Sequence, residues 1–259
     1  MDDKPNPISK DNSDVDLWSD LRRLTAARIG LKRAGASLAT RPLLEFQLAH
    51  AQARDAVHEP LGAARLASDL SGLGPPVLEV ASAVPDRQRY LMRPDLGRRL
   101  APEAEGTLAP HAAAYDVVFA VTDGLSARAV EMHAAPVLAA VLPLLRKDEW
   151  TIAPLVIVRQ GRVAIGDAIA NVLGATSVVM LIGERPGLSA PYSMGAYLTW
   201  QPGDQTTDSD RNCISNIRPE GIGTDDAAFK IAHLLCAMRA RRLSGVQLKD
   251  DSDQMLIGR

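Results

Sequence analysis

The chain of 259 residues has too few cysteines for a disulfide framework. Its two cysteines, Cys213 and Cys236, occur without a CxxC pair or the Cys/His spacing that is typical of zinc sites. No run of eighteen apolar residues is present, and the N-terminal stretch is polar and acidic, unlike a signal peptide. These absences predict a soluble protein of a reducing compartment, located in the cytoplasm and without a membrane span.

An excess of charge of one sign is also lacking. The chain carries 29 basic and 31 acidic side chains, which gives a formal net charge of -2. Proteins that bind mainly nucleic acid usually carry a basic excess that neutralises phosphates, so nucleic acid is not expected as a partner. Hydrophobic residues make up 46% of the chain. That content and length are enough for a full core in one large domain, or in a main domain with an appendage.

Four common functional motifs are missing as well. The sequence contains no GxGxxG after a predicted strand, no GxxxxGK[ST], no HExxH and no GxSxG. An ordinary dinucleotide dehydrogenase, a P-loop enzyme, a zinc hydrolase and a serine hydrolase would each lack their usual signature. The five histidines are scattered without the spacing of metal ligands, so no metal site is predicted.

Composition and patterning divide the chain into three parts. Residues 1–14 are polar and rich in Pro, Asn, Ser and Asp, which predicts a disordered tail. Residues 15–100 are predicted to form a mainly helical N-terminal region. Residues 101–259 are predicted to form an α/β domain with a Rossmann-like, doubly wound and mostly parallel sheet.

Two helices are predicted near the N-terminus. The first begins near Ser13 as its cap and ends at Gly30 or Gly35. The second covers the segment RPLLEFQLAHAQARDAV, with Pro42 in its first turn. The residues predicted to form its buried stripe are Leu43, Phe46, Leu48, Ala49 and Val57.

From about residue 115 onward, apolar runs alternate with helical segments. The runs YDVVFAV, PLVIV and SVVMLI are continuously apolar, which predicts strands of a sheet that is covered on both faces. VLEVASAV and AYLTWQ predict further strands, the latter near the sheet edge. Helices are predicted after Ser126, with Pro136 starting a second piece, in GDAIANVLG with Gly174 as its stop, and from Asp225 to Arg241.

Polar residues follow three of the predicted strands directly. These segments are Thr122-Asp123-Gly124, Arg159-Gln160-Gly161-Arg162 and Gly183-Glu184-Arg185-Pro186-Gly187. In open parallel sheets, ligands bind outside the carboxyl ends of the strands. The three segments therefore predict a binding site at one rim of the sheet.

Local sequence alone leaves the roles of the two acidic residues at this rim open. Glu184 could accept hydrogen bonds from an amide-rich ligand, but an ion pair with Arg185 or another arginine is the simpler interpretation. Asp123 could bind a ligand hydroxyl, or its side chain could cap the helix that follows.

The two cysteines and Val163 have equally ordinary local interpretations. Cys213 lies in a predicted polar loop without a nearby histidine, which favours packing or ligand contact over a catalytic thiolate. Cys236 lies on the apolar face of the last predicted helix and is expected in the core. Val163, after the turn RQGR, is expected to be a packing residue.

Longer motifs carry a more specific signal, because six of them occur in a fixed order: LTAARIGLKRAGASLATRPLLEFQLAHAQARDAV, YLMRPDLGRRL, VTDGLS, RQGRVAIGD, IGERPGLS and DRNCISNI. The sequence resembles the small, light-chain subunit of ethanolamine ammonia-lyase, an adenosylcobalamin-dependent bacterial enzyme. The resemblance extends from about residue 17 to the C-terminal region.

The resemblance implies a function and a set of contacts. The family's enzyme converts ethanolamine to acetaldehyde and ammonia by a radical mechanism that starts from adenosylcobalamin. The substrate site belongs to a large subunit, so no catalytic residue is expected on this chain. The family's cofactor contacts correspond to Val163, Glu184 and Cys213.

The resemblance also implies an assembly. The chain would pair with the large subunit in a heteromeric αβ complex and a higher oligomer, with residues 15–100 contributing to the contact. Better-known members carry a longer N-terminal extension that is thought to assist packaging, and a location inside a bacterial microcompartment is the further expectation.

Two other functions compete with this one. A stand-alone Rossmann-like enzyme that uses a nucleotide would employ Asp123 and Glu184. A purely structural interaction protein would tolerate bulky substitution at Val163 and Glu184.

Overall fold

A computed structural model describes residues 17–252. These residues form two compact units, one ending at His50 and one beginning at Ala51. We call them the N-terminal unit and the α/β unit. The domain boundary predicted from the sequence is residue 100, whereas the strand at residues 77–81 is already part of the main sheet.

The N-terminal unit has less helix than its sequence predicts. Helix α1 (Leu17–Arg23) ends well before Gly30, and a hairpin of β1 (Arg33–Ala34) and β2 (Ser37–Leu38) follows. Gly30 has a φ of +56°, and a Cβ there would overlap the ring of Trp18. Its role is therefore a tight turn rather than a helix stop. The predicted cap Ser13 lies outside the described residues.

Helix α2 (Thr40–His58) confirms the second predicted helix, but most of the predicted buried stripe is wrong. Leu43 and Phe46 are each 39% exposed and Leu48 is 61% exposed, whereas Ala49 is buried. Periodicity identifies an apolar face, but it does not say whether this chain or another covers it.

A mixed six-stranded sheet forms the centre of the α/β unit, in the order β3-β5-β4-β6-β7-β8. The first four strands in this order pair in parallel, and β7 pairs antiparallel with both β6 and β8. The strand bounds are β3 (Val77–Ala81), β4 (Tyr115–Thr122), β5 (Leu155–Arg159), β6 (Ala175–Gly183), β7 (Met194–Trp200) and β8 (Arg211–Ile217). The predicted strands β3 to β7 are thus confirmed.

Helices cover both faces of this sheet, and each face has its own core. The apolar side chains of α3, α6 and α8 pack on one face, and those of α5 and α7 pack on the other. Both sides of β4 are therefore buried, which accounts for its continuous apolar sequence. The helices are α3 (Ala63–Ser71), α4 (Arg87–Met92), α5 (Pro102–Leu108), α6 (Ala127–Lys147), α7 (Ile165–Leu173) and α8 (Thr224–Arg241).

Helix α6 continues through Pro136, so the predicted second helical piece does not exist. Val130 and Ala134 before the proline, and Val137 and Val141 after it, are all buried in the same core. This burial offsets the hydrogen bond that proline removes, a loss of about 3 kcal/mol. By length and composition α6 could cross a membrane, but half of its most apolar window is buried inside the protein, as in a core helix.

Strand β8 corrects the predicted loop around Cys213. Arg211, Ile214 and Ile217 are buried while the residues between them are partly or fully exposed. Ile214 and Ile217 pack in the core with α6 and α8, whereas Arg211 pairs with Asp167 of α7 on the other face of the sheet. The polar character of the segment therefore reflects an edge strand that is only partly covered. Cys213 lies on this strand, paired with Tyr197 of β7.

Candidate functional site

A cleft of about 420 Å³ lies at the carboxyl ends of β4, β5 and β6. Its position follows from the topology, because β4 leads into α6 on one face of the sheet and the adjacent β5 leads into α7 on the other. Such a switch point opens a crevice between the two loops. The residues lining the cleft are Tyr90, Gly124, Leu125, Arg162, Val163, Ile182, Gly183, Glu184, Arg185 and Tyr197.

Two glycines bring the walls of the cleft together. Gly124 has a φ of +52°, and a Cβ on it would overlap the carbonyl oxygen of Gly183. A Cβ on Gly183 would in turn overlap the carbonyl oxygen of Ser126. The N–H of Leu125 donates to the Gly183 carbonyl at 2.9 Å. The loops after β4 and β6 thus touch backbone to backbone, and only glycine permits this approach.

Glu184 is held by backbone groups. Each of its carboxylate oxygens accepts from the N–H of Asn216 at 3.1 Å, and its own N–H donates to the Ser193 carbonyl at 2.9 Å. A Cβ on Gly195 would come within 3.0 Å of the Glu184 Oε1, so this glycine leaves room for the carboxylate. Within the described residues the partner of Glu184 is therefore strand β8, and the predicted ion pair with Arg185 does not form.

Val163 and Cys213 occupy different positions relative to the cleft. Val163 is half-buried and lines it, whereas Cys213 is exposed on β8 behind Tyr197, which does line it. The thiol and the Tyr197 hydroxyl interact by a hydrogen bond. Partial burial raises the pKa of the Cys213 thiol, the hydrogen bond to Tyr197 lowers it, and the charge of Glu184 raises it further. Burial likewise raises the pKa of Tyr197. At neutral pH both groups keep their protons.

Asp123 joins the loops that follow β4 and β5. One carboxylate oxygen accepts from the N–H of Gln160 at 2.7 Å, and the other accepts from Nη1 of Arg87 at 3.0 Å. The hydroxyl oxygen of Thr122 accepts from the N–H of Gly161 at 2.9 Å. Burial raises the pKa of Asp123, and the Arg87 guanidinium opposes that effect. The carboxylate therefore has a structural role. It does not cap α6, which was one of the two roles that the sequence left open.

Tyr90 and Arg162 also belong to the site, although the sequence assigned neither of them an individual role. The Tyr90 ring is fully buried, and the guanidinium groups of Arg87 and Arg162 lie over it, at 4.7 Å and 4.1 Å from its centroid. Its hydroxyl donates to the Gly161 carbonyl at 3.0 Å. Tyr90 thus supports the loop that carries Val163. Tyr90 lies in the segment YLMRPDLGRRL, one of the six ordered motifs.

Other cavities lie outside this cleft. One of about 230 Å³ is lined by Arg87, Asp123 and Gln160, among others. Another of about 660 Å³ lies within the N-terminal unit and contains none of the predicted site residues. Within residues 17–252, no group of three or more His, Cys, Asp or Glu side chains is placed to hold a metal ion.

Comparisons with known proteins give the same family over most of the chain. The family model "Ethanolamine ammonia-lyase light chain (EutC)" matches residues 15–249. The ethanolamine ammonia-lyase small subunit of Ralstonia nicotianae is 51% identical over 244 residues, covering 93% of this chain and 90% of that protein. The small subunit of Azotobacter vinelandii is 52% identical over 240 residues, covering 91% of this chain and 89% of that protein.

Proposed function

Because the chain belongs to the ethanolamine ammonia-lyase light-chain family, we propose that its cleft contacts adenosylcobalamin at an interface with the large subunit. The enzyme would deaminate ethanolamine to acetaldehyde and ammonia. One observation carries the proposal: Val163 and Glu184, which come from separate loops, line the same cleft, and Cys213 lies one strand beyond it.

The chemistry of the cleft fits part of a cobalamin. The corrin ring is apolar on its faces and carries a fringe of amides that donate and accept hydrogen bonds. Leu125 and Val163 offer apolar contact, and Glu184 offers a carboxylate acceptor in the same cleft. The Nε of Arg162 is buried without a hydrogen-bond partner in the described part of the chain. A buried donor of this kind costs free energy unless a water or a ligand satisfies it.

When bound, the cofactor would supply the radical chemistry, as cofactors generally carry the difficult step. The residues of this chain would fix the orientation of the cofactor and keep water from one side of it. A cleft of about 420 Å³ is smaller than cobalamin, so the large subunit would have to cover the remainder. This division of roles between cofactor, small subunit and large subunit would explain why the cleft of a Rossmann-like sheet needs no acid–base pair of its own.

The N-terminal unit would contribute to the contact with the large subunit. It exposes large apolar side chains, which mark interaction surfaces when they cluster. Residues 17–50 also carry six Arg and Lys side chains but only two carboxylates, so the contact surface would be both apolar and basic. The exposed apolar side chains are Trp18, Leu21, Leu24, Leu38, Leu43, Leu44, Phe46 and Leu48. The complex would be a higher αβ oligomer, located in the cytoplasm or in a bacterial microcompartment.

Reconstitution tests the proposal. The chain should co-purify with a large subunit, and ammonia release should require both chains and adenosylcobalamin. Turnover of a nucleotide-dependent reaction by the chain alone would contradict it and favour a stand-alone enzyme. That alternative is weakened by Asp123, whose two carboxylate oxygens are already engaged by Gln160 and Arg87.

Substitution of Glu184 tests the site itself. Glu184→Ala in the complex should weaken cobalamin binding by roughly 10- to 100-fold, the usual range for a lost charged hydrogen bond. Glu184→Gln should restore part of the affinity because it keeps an acceptor for Asn216. Glu220→Ala, at an exposed carboxylate beyond β8, is the matched control. Unchanged affinity in a spectroscopic titration of Glu184→Ala would instead indicate a purely structural chain.

A further inference from the structure

We propose that Arg162 binds the phosphodiester of the cofactor's nucleotide loop. The anionic part of cobalamin would then lie at a different place in the cleft from the neutral amides. The inference rests on the proposed function and gives a specific role to Arg162, which lies in one of the polar segments at the rim but is not among the family's cofactor contacts. It starts from the environment of one half-buried guanidinium.

Three other arginines with restricted exposure in the α/β unit have a carboxylate partner. Arg87 pairs with Asp123, Arg211 with Asp167, and Arg218 with Glu220. No carboxylate of the described residues comes within 4.0 Å of the Arg162 guanidinium. A half-buried cation without a counter-charge is unfavourable in the free protein, and an anion bound beside it removes that cost.

The guanidinium is held in place by neutral groups only. It stacks on the Tyr90 ring at 4.1 Å, and Nη2 donates to the Tyr90 carbonyl oxygen at 3.2 Å. Its backbone N–H donates to the Gly97 carbonyl at 2.7 Å, and a Cβ on Gly97 would approach the Arg162 Cγ to 2.9 Å. The side chain is therefore preorganised, while Nη1 has no partner within residues 17–252. Preorganised arginine is well suited to the bidentate recognition of phosphate.

The surrounding backbone adds positive potential at the same place. Helix α6 begins at Ala127, just after the cleft residues Gly124 and Leu125, and α7 begins at Ile165, just after Val163. The N-terminal ends of two helices thus face the crevice at the switch point of the sheet. Helix N-termini favour anions, and phosphate groups of nucleotides are commonly bound there.

Glu184 is the opposing charge in the cleft, and its position explains why a whole cobalamin fits better than a free anion. Its carboxylate would repel a phosphate placed close to it but would accept hydrogen bonds from neutral amides or hydroxyls. In cobalamin the phosphodiester is joined by a flexible linker to the amide-bearing ring. The ligand can therefore place its anion at Arg162 and its N–H donors at Glu184.

Binding of two corrinoids to the αβ complex tests the inference. Adenosylcobinamide lacks the nucleotide and its phosphodiester, whereas adenosylcobalamin has both. By equilibrium dialysis, Arg162→Gln should weaken adenosylcobalamin binding by about 10- to 100-fold. It should leave adenosylcobinamide binding within about twofold. Arg162→Lys should recover part of the affinity, because it keeps the charge but loses the bidentate fork.

The matched control is Arg239→Gln. Arg239 stacks on Trp150 at 4.2 Å and donates to the Asp148 carbonyl at 3.3 Å, the same kind of support in a place remote from the cleft. It should leave the affinity for both corrinoids unchanged. Equal weakening of both corrinoids by Arg162→Gln, or no weakening of either, would overturn the inference.

Two further results separate the inference from its premise. A wild-type complex that binds neither corrinoid would overturn the proposed function itself. Micromolar binding of inorganic phosphate at Arg162 that does not compete with adenosylcobalamin would assign the residue to a free phosphate and would also overturn the inference.

Discussion

Arg211 and Asp167 form a buried, bidentate ion pair that joins strand β8 to helix α7. Nη1 and Nη2 of Arg211 lie 2.7 Å and 2.6 Å from the two carboxylate oxygens of Asp167, and Nη1 also donates to the Thr199 hydroxyl at 3.0 Å. Arg211 is the first residue of the edge strand that carries Cys213. The pair therefore anchors the strand on which one wall of the cleft depends.

Breaking this pair should destabilise the protein strongly. Asp167→Asn leaves the buried Arg211 charge with only the exposed Asp208, 3.8 Å from its Nε, as a counter-charge, and breaking a buried pair typically costs about 3–5 kcal/mol. Urea unfolding should show this loss, whereas Glu220→Gln at the exposed pair with Arg218 should change the free energy of unfolding by less than about 1 kcal/mol. The double variant Asp167→Leu/Arg211→Met should be more stable than Asp167→Asn. If the effects of Asp167→Leu and Arg211→Met, measured singly, add up to the effect of the double variant, the two residues are not a coupled pair.

The two glycines that flank Glu184 should respond very differently to alanine. In Gly183→Ala the new Cβ would overlap backbone oxygens of Ser126 and Asp123, which cannot retreat without moving the loop. We expect a loss of roughly 1–3 kcal/mol or more in the free energy of unfolding.

Gly187→Ala is the control for that substitution, since its new Cβ would have no neighbour closer than 3.8 Å. We expect a change within about 0.5 kcal/mol. Similar losses for both variants would contradict the close approach of the loops after β4 and β6.

The strands of the sheet were largely predictable from the sequence because burial on both faces produces continuous apolar runs. Strand β8 was not, because it is an edge strand of mixed burial, and the burial of its first residue, Arg211, depends on the distant Asp167. Local sequence cannot report a partner 44 positions away. The continuity of α6 through Pro136 likewise depends on tertiary contacts.

The position of the cleft was predictable from the sequence, but the contacts around it were not. Three polar strand ends indicated the rim at which the cleft lies, because parallel strands end together at one edge. The local interpretation of Glu184 as an ion-pair residue was wrong, since its partner is the backbone N–H of Asn216. Arg162 was placed at the rim without a role of its own and Tyr90 was not considered, because each acts through packing on the other, and such packing has no sequence signature.

His133 should make stability depend on pH. Its side chain is buried, and Nε2 lies 3.1 Å from the Tyr192 carbonyl oxygen, to which it can donate as a neutral ring. Burial lowers the pKa of His133 below its usual value of 6.5, although the Tyr192 bond and Glu220 oppose the shift. The unfolded chain therefore binds a proton more readily than the folded protein as pH falls below 6.5.

The expected sign follows from this difference in proton binding. The free energy of unfolding should fall as pH decreases from 7 to 5, by at most about 1.4 kcal/mol per pH unit from this group. His133→Gln should flatten that part of the profile in urea unfolding, and His50→Gln, at an exposed histidine, should not. A steeper profile in His133→Gln would refute the assignment.

Cys213 should react slowly for an exposed thiol, because its pKa is raised by partial burial and by Glu184. Iodoacetamide alkylation at neutral pH, measured in a Cys236→Ser background, reports the thiolate fraction. Glu184→Gln removes a negative charge and should speed the reaction severalfold. Tyr197→Phe removes the hydrogen bond that lowers the pKa of the thiol and should slow it. If both substitutions change the rate in the same direction, exposure of the thiol rather than its pKa controls the reaction, and the contact among Glu184, Tyr197 and Cys213 is not the one described.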